Sequence, residues 1–518
     1  MMNLDEFLFK LHFKTDQITP SDWEVNWEDA PLPYKLYQGL PFVELSSVFH
    51  DSLEHTEKPT LNHISHFLMH TFGLTGVSQS FAFVDGLDIW TTCRRFVPSG
   101  GALYPSELYI YLKIDDLAHG IYHYDVAHHR LVCLRKGNFD DYLKQALGNR
   151  CDIHTSFASV FISTFFWKNF FKYNNFSYRL QGLDAGIVMG QLLEVGRRMG
   201  FETGVYYQFL DKAVNHLIGI DEKEESVYAV IPLSVDKKTI WFLDEEKGSV
   251  TSEKLCDELQ PLHHQHYMRS KKIIEYPLIL KMNEACMMDT FTSPRKMVDQ
   301  PKEDFSGSII KLPAANQLSY DFHSTCRRRY SPGMDFVLKP LNLHTLSSLL
   351  HETVLKSSYR NDLDQGYQQT PYRVDLNIST YNVDGLPNGI YAYDAPKQTL
   401  RRITAGDFRN ALQDGLLSDF VNMAQIPLSF NIAGNKGHYK NNYGYRGHRI
   451  QHMEAGLLSH QLILAASALH LAGHPVLGFN VDWYDEVHQL HHRGTTSLLQ
   501  IPVGHYRPHP RLQGSLHM

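Results

Sequence analysis

Five groups of residues in this 518-residue chain have types and spacings that could do chemistry. The octapeptide PSGGALYP, Pro98 to Pro105, follows Cys93-Arg94-Arg95 and sets Ser99, Gly100 and Gly101 between prolines. Glycines lack the Cβ that would hold a ligand off, so the backbone N–H groups of such a loop can approach a flat or anionic group closely. Taken alone, it is a turn. Arg327, Arg328 and Arg329, with Ser331 two residues on, could hold an anion through guanidinium forks and a hydroxyl, or could form a solvated basic surface. Arg507 and Arg511 in HYRPHPRLQG carry the same two readings. Lys172-Tyr173 sets an ammonium beside a phenol, and Gly478-Phe479 in PVLGFNVD marks a turn. A lysine snorkelling past an anchoring tyrosine would explain the Lys-Tyr pair structurally. His263, His264 and His266, or His488, His491 and His492, have no cysteine or convincing carboxylate at ligand spacing, so no metal site is expected. No GxGxxG or P-loop sequence occurs, so a tightly held nicotinamide or nucleoside triphosphate is not indicated.

The elements that must position these groups come twice. GIYHYD, Gly120 to Asp125, returns as GIYAYD 269 residues later at Gly389 to Asp394. LDAGIVMGQLLEVGRRMG, Leu183 to Gly200, resembles MEAGLLSHQLILAASALH, Met453 to His470, and KYNNFSYR resembles NYGYRGHR, both at an offset of 270. VYAVIPLS, Val227 to Ser234, pairs with LLQIPVGH, Leu498 to His505. Anchors at near-constant spacing indicate duplication. Each repeat reads as α+β: a helical start, β-branched and aromatic strands, a long small-residue helix and a last strand with Pro. The expected organisation is an N-terminal extension over 1–40 with no legible chemistry, repeat 1 over 41–250, a partly flexible linker over 251–317 and repeat 2 over 318–518. Gly182, Gly186 and Gly190 in one long helix, and Ala455 and Gly456 in the other, would let two helix backbones meet. The halves are then expected to pair as a pseudo-dimer within one chain.

Composition narrows the partners. At 43% hydrophobic residues the chain can fill at least two ordinary cores. A net charge of -7 offers no basic field for nucleic acid. No stretch reaches bilayer length and the first residues do not read as a signal peptide, so a soluble cytoplasmic protein without a membrane partner is expected. The six cysteines form no CxxC pair and fit reduced thiols.

RRFVPSGGALYPSELY, then GIYHYD, then the Lys-Tyr pair leading into a DAG helix resemble the flavin-dependent azoline dehydrogenases of the SagB type, a branch of the nitroreductase superfamily. The resemblance covers roughly residues 85–235 and, more weakly, 320–512. It implies two tandem nitroreductase-like α+β domains around FMN, each contributing different parts of a flavin site. One half would supply an Arg-x-Ser phosphate clip, a Gly-Phe loop beside the isoalloxazine and a basic residue near its end. The other would supply the Pro-Ser loop and the Lys-Tyr pair.

Distributed over the two halves, these parts are complementary. Repeat 1 has Pro98, Ser99, Gly100 and Gly101 with Lys172 and Tyr173, but VELSSVFHDSLEH in place of a clip and GVYYQF in place of the Gly-Phe loop. Repeat 2 has Arg327, Arg328, Arg329 and Ser331, Gly478 and Phe479, and Arg507 and Arg511, but QTPYRVD for the Pro-Ser loop and Asn442-Tyr443 for the pair. Gly333 stands at the family's next basic position, leaving open which arginine takes the phosphate. One complete FMN site is expected. By this resemblance the chain oxidises thiazolines or oxazolines to thiazoles or oxazoles in a heterocyclised, ribosomally made precursor peptide. It would work beside a cyclodehydratase, and pseudo-dimers could associate further. Lys172 or Tyr173 would be the base: an ammonium can stabilise a phenolate, and a desolvated lysine can lose its charge. The alternatives are an NAD(P)H-dependent flavoenzyme acting on quinones or nitro compounds, or a flavin-free scaffold.

Overall fold

The computed structural model describes all residues except 1, 47–52, 84–86, 244–249, 292–294, 298–306, 316, 355–357, 365–372, 509–510 and 517–518. Two antiparallel sheets form its frame, and their strand orders match. The first runs Phe42–Glu44, Arg130–Lys136, Gly120–Asp125, Ser106–Leu112, Ala158–Phe165, Glu225–Ser234, Glu202–Thr203. In the second, Ile309–Lys311, Thr399–Ala405, Gly389–Asp394, Asp375–Thr380, Leu428–Asn435 and Thr495–Tyr506 follow in the same order, with Ala472–Gly473 and Phe336–Val337 pairing the last of these. The likeness extends to irregularities. Register slips occur at Ile121/Tyr122 and Ile390/Tyr391, and again at Ile162/Ser163 and Ile432/Ala433. Bulges twist a strand locally, so both sheets turn at corresponding points. Ser106–Leu112 is buried along its whole length, which is why its sequence SELYIYL lacks a solvent-facing polar alternation.

Each sheet is covered by a long helix, Ser177–Arg198 or Arg446–Ala468, and these two helices pack against each other. A Cβ added at Gly186 would stand 2.0 Å from the Met453 carbonyl oxygen, and one at Gly456 would stand 2.1 Å from that of Leu183. Here the small residues are required: any side chain would force the backbones apart. A continuous apolar core runs from one repeat through these helices into the other.

Three segments lace the repeats together. The helix Leu4–Phe13, capped by Asn3 accepting from the Glu6 N–H at 2.8 Å, buries Phe7, Leu8 and Leu11 and meets repeat 2, where Tyr445 donates to Asp5 at 3.1 Å. Residues 20–29 then return to repeat 1, where Trp23 Nε1 donates to the Lys172 carbonyl at 3.3 Å. The 251–317 stretch is more ordered than its polarity predicts. Pro277 starts a helix to Cys286 that buries Ile279 and Met282 completely, because Pro is pre-organised for a first helical turn. Its most polar part lies outside the described residues. Finally, Leu512–Ser515 pairs with Leu74–Phe83, which in turn pairs with Leu87–Arg95. The end of repeat 2 thereby completes a small sheet of repeat 1.

Candidate functional site

The Pro-Ser loop is held in a strained turn by a buried acid. Gly101, Ala102 and Tyr104 have φ of 65°, 57° and 49°, and the last two adopt that region at a cost of about 1–3 kcal/mol each. Ser99 Oγ donates to Asp184 Oδ2 at 2.7 Å, the Gly100 N–H donates to Asp184 Oδ1 at 3.2 Å, and the Tyr104 N–H donates to Ser99 Oγ at 2.9 Å. Asp184 sits in the first long helix and is buried. Burial pushes its carboxyl up to about 7, against the opposing pull of the Ser99 and Gly100 hydrogen bonds. Beneath the loop, Lys168 donates to the Tyr104 carbonyl at 3.2 Å and is ion-paired with Glu107.

Lys172 and Tyr173 end the helix Trp167–Tyr173 and face this turn. A Cβ at Gly101 would lie 2.6 Å from Tyr173 Oη and 3.0 Å from Lys172 Nζ. Glycine is needed there on two grounds, the positive φ and the close approach. Lys172 Nζ lies 4.9 Å from the Tyr173 ring centre and 5.4 Å from that of Trp27. It makes no hydrogen bond or ion pair to a side chain among the described residues. Desolvation therefore lowers the Lys172 proton affinity. The same burial, with Asp184 nearby, raises that of Tyr173. Of the pair, the amine moves toward the form a base needs, while the phenol moves away from phenolate.

The arginines divide sharply. Arg329 lies beside Arg94 and Arg511: Arg94 Nη2 donates to the Arg329 carbonyl at 2.7 Å, and Arg511 stacks over Tyr330 with its guanidinium carbon 4.5 Å from the ring centre. Arg94 is lowered to about 10 by desolvation and then by the charges of Arg329 and Arg511; Arg329 is lowered chiefly by desolvation. Among the described residues no carboxylate is paired with any of the three, and Arg329 Nε has no acceptor. Tyr104 of the Pro-Ser loop is close enough to act electrostatically on Arg94 and Arg329. Arg327 instead reaches Ser515 Oγ at 3.0 Å. Arg328 donates to the Ser467 carbonyl at 2.8 Å, capping the second long helix. Arg507 pairs with Asp335 at 3.3 Å on the surface. Ser331 accepts through its carbonyl from the Gly333 N–H at 3.3 Å. Phe479 is core and packs on Tyr484, whereas a Cβ at Gly478 would meet nothing within 4 Å. The loop, the Lys-Tyr pair, Arg329 and Arg511 are thus brought to one region; Arg327, Arg328 and Arg507 have other partners. Sequence reading does not single out Asp184, the acid of the DAG motif, or Trp27, and it ranks Arg94 below Arg327, Arg328 and Arg329, whereas the structure sets Arg94 beside Arg329.

The corresponding place in the other half is filled by protein. Glu454 stands 270 residues after Asp184, and Arg373 occupies it: Nη1 bonds Oε1 at 2.5 Å, Nη2 bonds Asn361 at 3.0 Å, and Asp364 forms a second ion pair. Tyr359 also donates to Glu454 at 2.5 Å. From repeat 1, GVYYQF closes over this cluster, with the Tyr207 N–H donating to Asp362 at 3.0 Å. Asn442 and Tyr443, which replace the Lys-Tyr pair, contact Arg295. The Gln369–Tyr372 part of the replaced Pro-Ser loop lies outside the described residues.

Residues 55–233, the span holding the Pro-Ser loop, Lys172, Tyr173 and Asp184, match the family model described as the nitroreductase family. This span is a nitroreductase-family domain. Over 201 residues the chain is 27% identical to the Methanocaldococcus jannaschii protein MJ1384, which bears a nitroreductase name; the match takes in 38% of this chain and 95% of that protein. Over 159 residues it is 26% identical to the trifolitoxin-processing protein TfxB of Rhizobium leguminosarum bv. trifolii, covering 29% of this chain and 43% of TfxB. This match spans less than half of TfxB. The nitroreductase-family domain and the repeat that follows it also recur together: a crystal structure from Anabaena variabilis, named as a nitroreductase, superimposes with a TM-score of 0.74 over 97% of this chain and 99% of that one at 20% identity. At that identity the likeness is one of fold. Among the described residues no helix is long and apolar enough to cross a membrane and no group of His, Cys, Asp and Glu could hold a metal ion.

Proposed function

We propose that the chain is an FMN-dependent dehydrogenase of azoline rings, using one flavin site assembled from both repeats. The observation that carries this reading is Lys172: an amine desolvated, unpaired among the described residues and 3.0 Å from where a Gly101 side chain would begin. A base in that state beside a ligand loop is suited to removing a carbon-bound proton. The residues present fit FMN. Arg94, Arg329 and Arg511 would hold the dianionic phosphate, since three guanidiniums without a paired carboxylate need an anion between them. Gly100 and Gly101 would let the ring system approach the loop. When bound, FMN supplies a two-electron acceptor for hydride, and oxygen can return it to the oxidised state.

Aromatising a thiazoline or oxazoline removes one proton and one hydride from neighbouring ring carbons. Lys172 Nζ accepts the proton, while Tyr173, held protonated by burial and Asp184, orients the ring through its hydroxyl. Asp184 keeps the loop in its strained turn through Ser99 and Gly100. Trp27 and the other neighbours of Lys172 partly desolvate it, which lowers the amine's proton affinity. Arg373 and Glu454 fill the equivalent place in the other half, which argues for one flavin per chain. The name of TfxB, a trifolitoxin-processing protein, is in keeping with a role in maturing a biosynthetic precursor; the proposed substrate is a heterocyclised precursor peptide, with a cyclodehydratase as neighbour. The test is incubation of the FMN-loaded chain with an azoline peptide. Loss of two hydrogens by mass is expected. Rapid NAD(P)H oxidation with nitro compounds or quinones and no change in the peptide would favour the small-substrate reading, and a colourless protein that takes up no FMN would leave a scaffold.

A further inference from the structure

A second unpaired guanidinium lies between the repeats, away from the Pro-Ser loop, beside a cluster of histidines. Arg179, in the first long helix, is completely buried. Its Nη2 donates to the Leu498 carbonyl at 3.2 Å, but Nε and Nη1 find no acceptor among the described residues. The duplication shows what is missing. Arg449, 270 residues later, pairs with Asp211 at 3.1 Å, a carboxylate that also takes Arg446 at 2.6 Å. Asp211 is the first residue of the helix Asp211–Ile218; at the same offset, the first residue of the helix Val481–Val487 is Val481. Repeat 1 has kept the cation while repeat 2 has lost the acid.

Among the described residues no carboxylate forms an ion pair with Arg179 in its place. Asp485 acts on Arg179 only at a distance, and its oxygens accept from Thr496 Oγ1 and the Ser497 N–H, both at 2.7 Å. The other neighbours are His12, His438, His448 and His452, whose rings lie 4.0–5.8 Å apart in an unbroken cluster. Both nitrogens of His448, Nε2 of His452 and Nδ1 of His12 also lack partners among the described residues. Burial and the Arg179 charge keep all four rings neutral, so they add N–H donors but no second charge. A buried guanidinium without a counter-charge is expensive, and a neutral imidazole cannot supply one.

We propose that Arg179 and the surrounding histidines bind a small monovalent inorganic anion of the halide class at the junction of the two repeats. One negative charge balances one guanidinium, and a spherical acceptor can take N–H groups arriving from several directions. A dianion would leave an excess charge buried.

The test uses the full chain. Crystals grown in sodium bromide should give an anomalous peak within hydrogen-bonding reach of Arg179 Nε or Nη1. In solution, the melting temperature in sodium bromide should exceed that in sodium gluconate at equal ionic strength by about 2 °C. Val481→Asp restores the carboxylate found at the equivalent position and should abolish both signals, and Arg179→Met should do the same by removing the cation. Absence of bromide at Arg179 in the native chain would overturn the proposal, as would a peak or a bromide-dependent shift that survives Arg179→Met. That second variant decides the matter if Val481→Asp fails to fold.

Discussion

Asp184 makes a pH-dependent contribution to stability that one substitution should isolate. Its carboxyl titrates at about 7 in the folded chain against 3.8 ordinarily. The raised value means that the folded state holds the proton where the unfolded chain has released it, so this residue makes stability fall as pH rises from about 4 to 7. With 1.36 kcal/mol per unit, the loss between pH 5 and pH 8 is about 2–3 kcal/mol. Asp184→Asn keeps an acceptor for the Gly100 N–H and a donor for Ser99 but cannot ionise. Unfolding by urea, followed by tryptophan fluorescence at pH 5 and pH 8 for both proteins, separates this residue from every other titrating group, since those cancel in the difference. The variant should gain on the native chain by about 2–3 kcal/mol between the two pH values. A difference that does not change with pH would refute the reasoning, because it would mean that Asp184 is already ionised in the folded state at pH 5, with a proton affinity that burial has not raised.

Lys172→Ala should retain the flavin spectrum and lose peptide oxidation, and the native enzyme's rate should rise with pH through a midpoint below 10.5, the ordinary lysine value; a flavin lost along with activity would place Lys172 in cofactor binding instead. Arg94→Ala or Arg329→Ala should each weaken FMN binding about 10- to 100-fold, the worth of a charge-assisted hydrogen bond, whereas Arg507→Ala should leave it unchanged, as fluorescence titration with FMN would measure. Arg373→Ala strands Glu454 and Asp364 as buried charges and should cost about 3–5 kcal/mol of stability, without raising the flavin-to-chain ratio measured by absorbance. Gly101→Ala should displace Tyr173 and Lys172 and lower turnover more than flavin occupancy, measured by steady-state kinetics against flavin content.

The duplicated architecture is legible in the sequence because strand patterns and helix-packing glycines are local signals with fixed spacing. GIYHYD and GIYAYD occupy corresponding strands, and Gly186 and Gly456 lie where the helix backbones meet. The Pro-Ser loop and the Lys-Tyr pair are legible as parts of one site through the family resemblance, but their close approach is not, since it depends on the turn at Gly101. The arginine triplet shows the limit more clearly. Three consecutive residues at a helix end point in different directions, so only Arg329 reaches the cluster, and its partner Arg94 comes from a strand 235 residues away. Nor could spacing show that residues 20–29 return to cover Lys172. A linker reading of 251–317 does not show the helix at 277–286, where Ile279, Met282 and Cys286 stand at helical intervals and find a buried face.

The pairing of Leu512–Ser515 with Leu74–Phe83 bears on how the chain becomes active during synthesis. Arg94 emerges from the ribosome early, but the strand that braces its hairpin, and Arg511 beside it, come 417 residues after it. At 5–20 residues per second that delay is roughly 20–80 s. Throughout this interval the guanidinium cluster has only one of its three members until Arg329 appears and two until the last strand arrives. Capture of a ligand by this cluster is therefore expected to wait for Leu512–Ser515, and a ribosome stalled before that strand would carry a chain that cannot yet hold it.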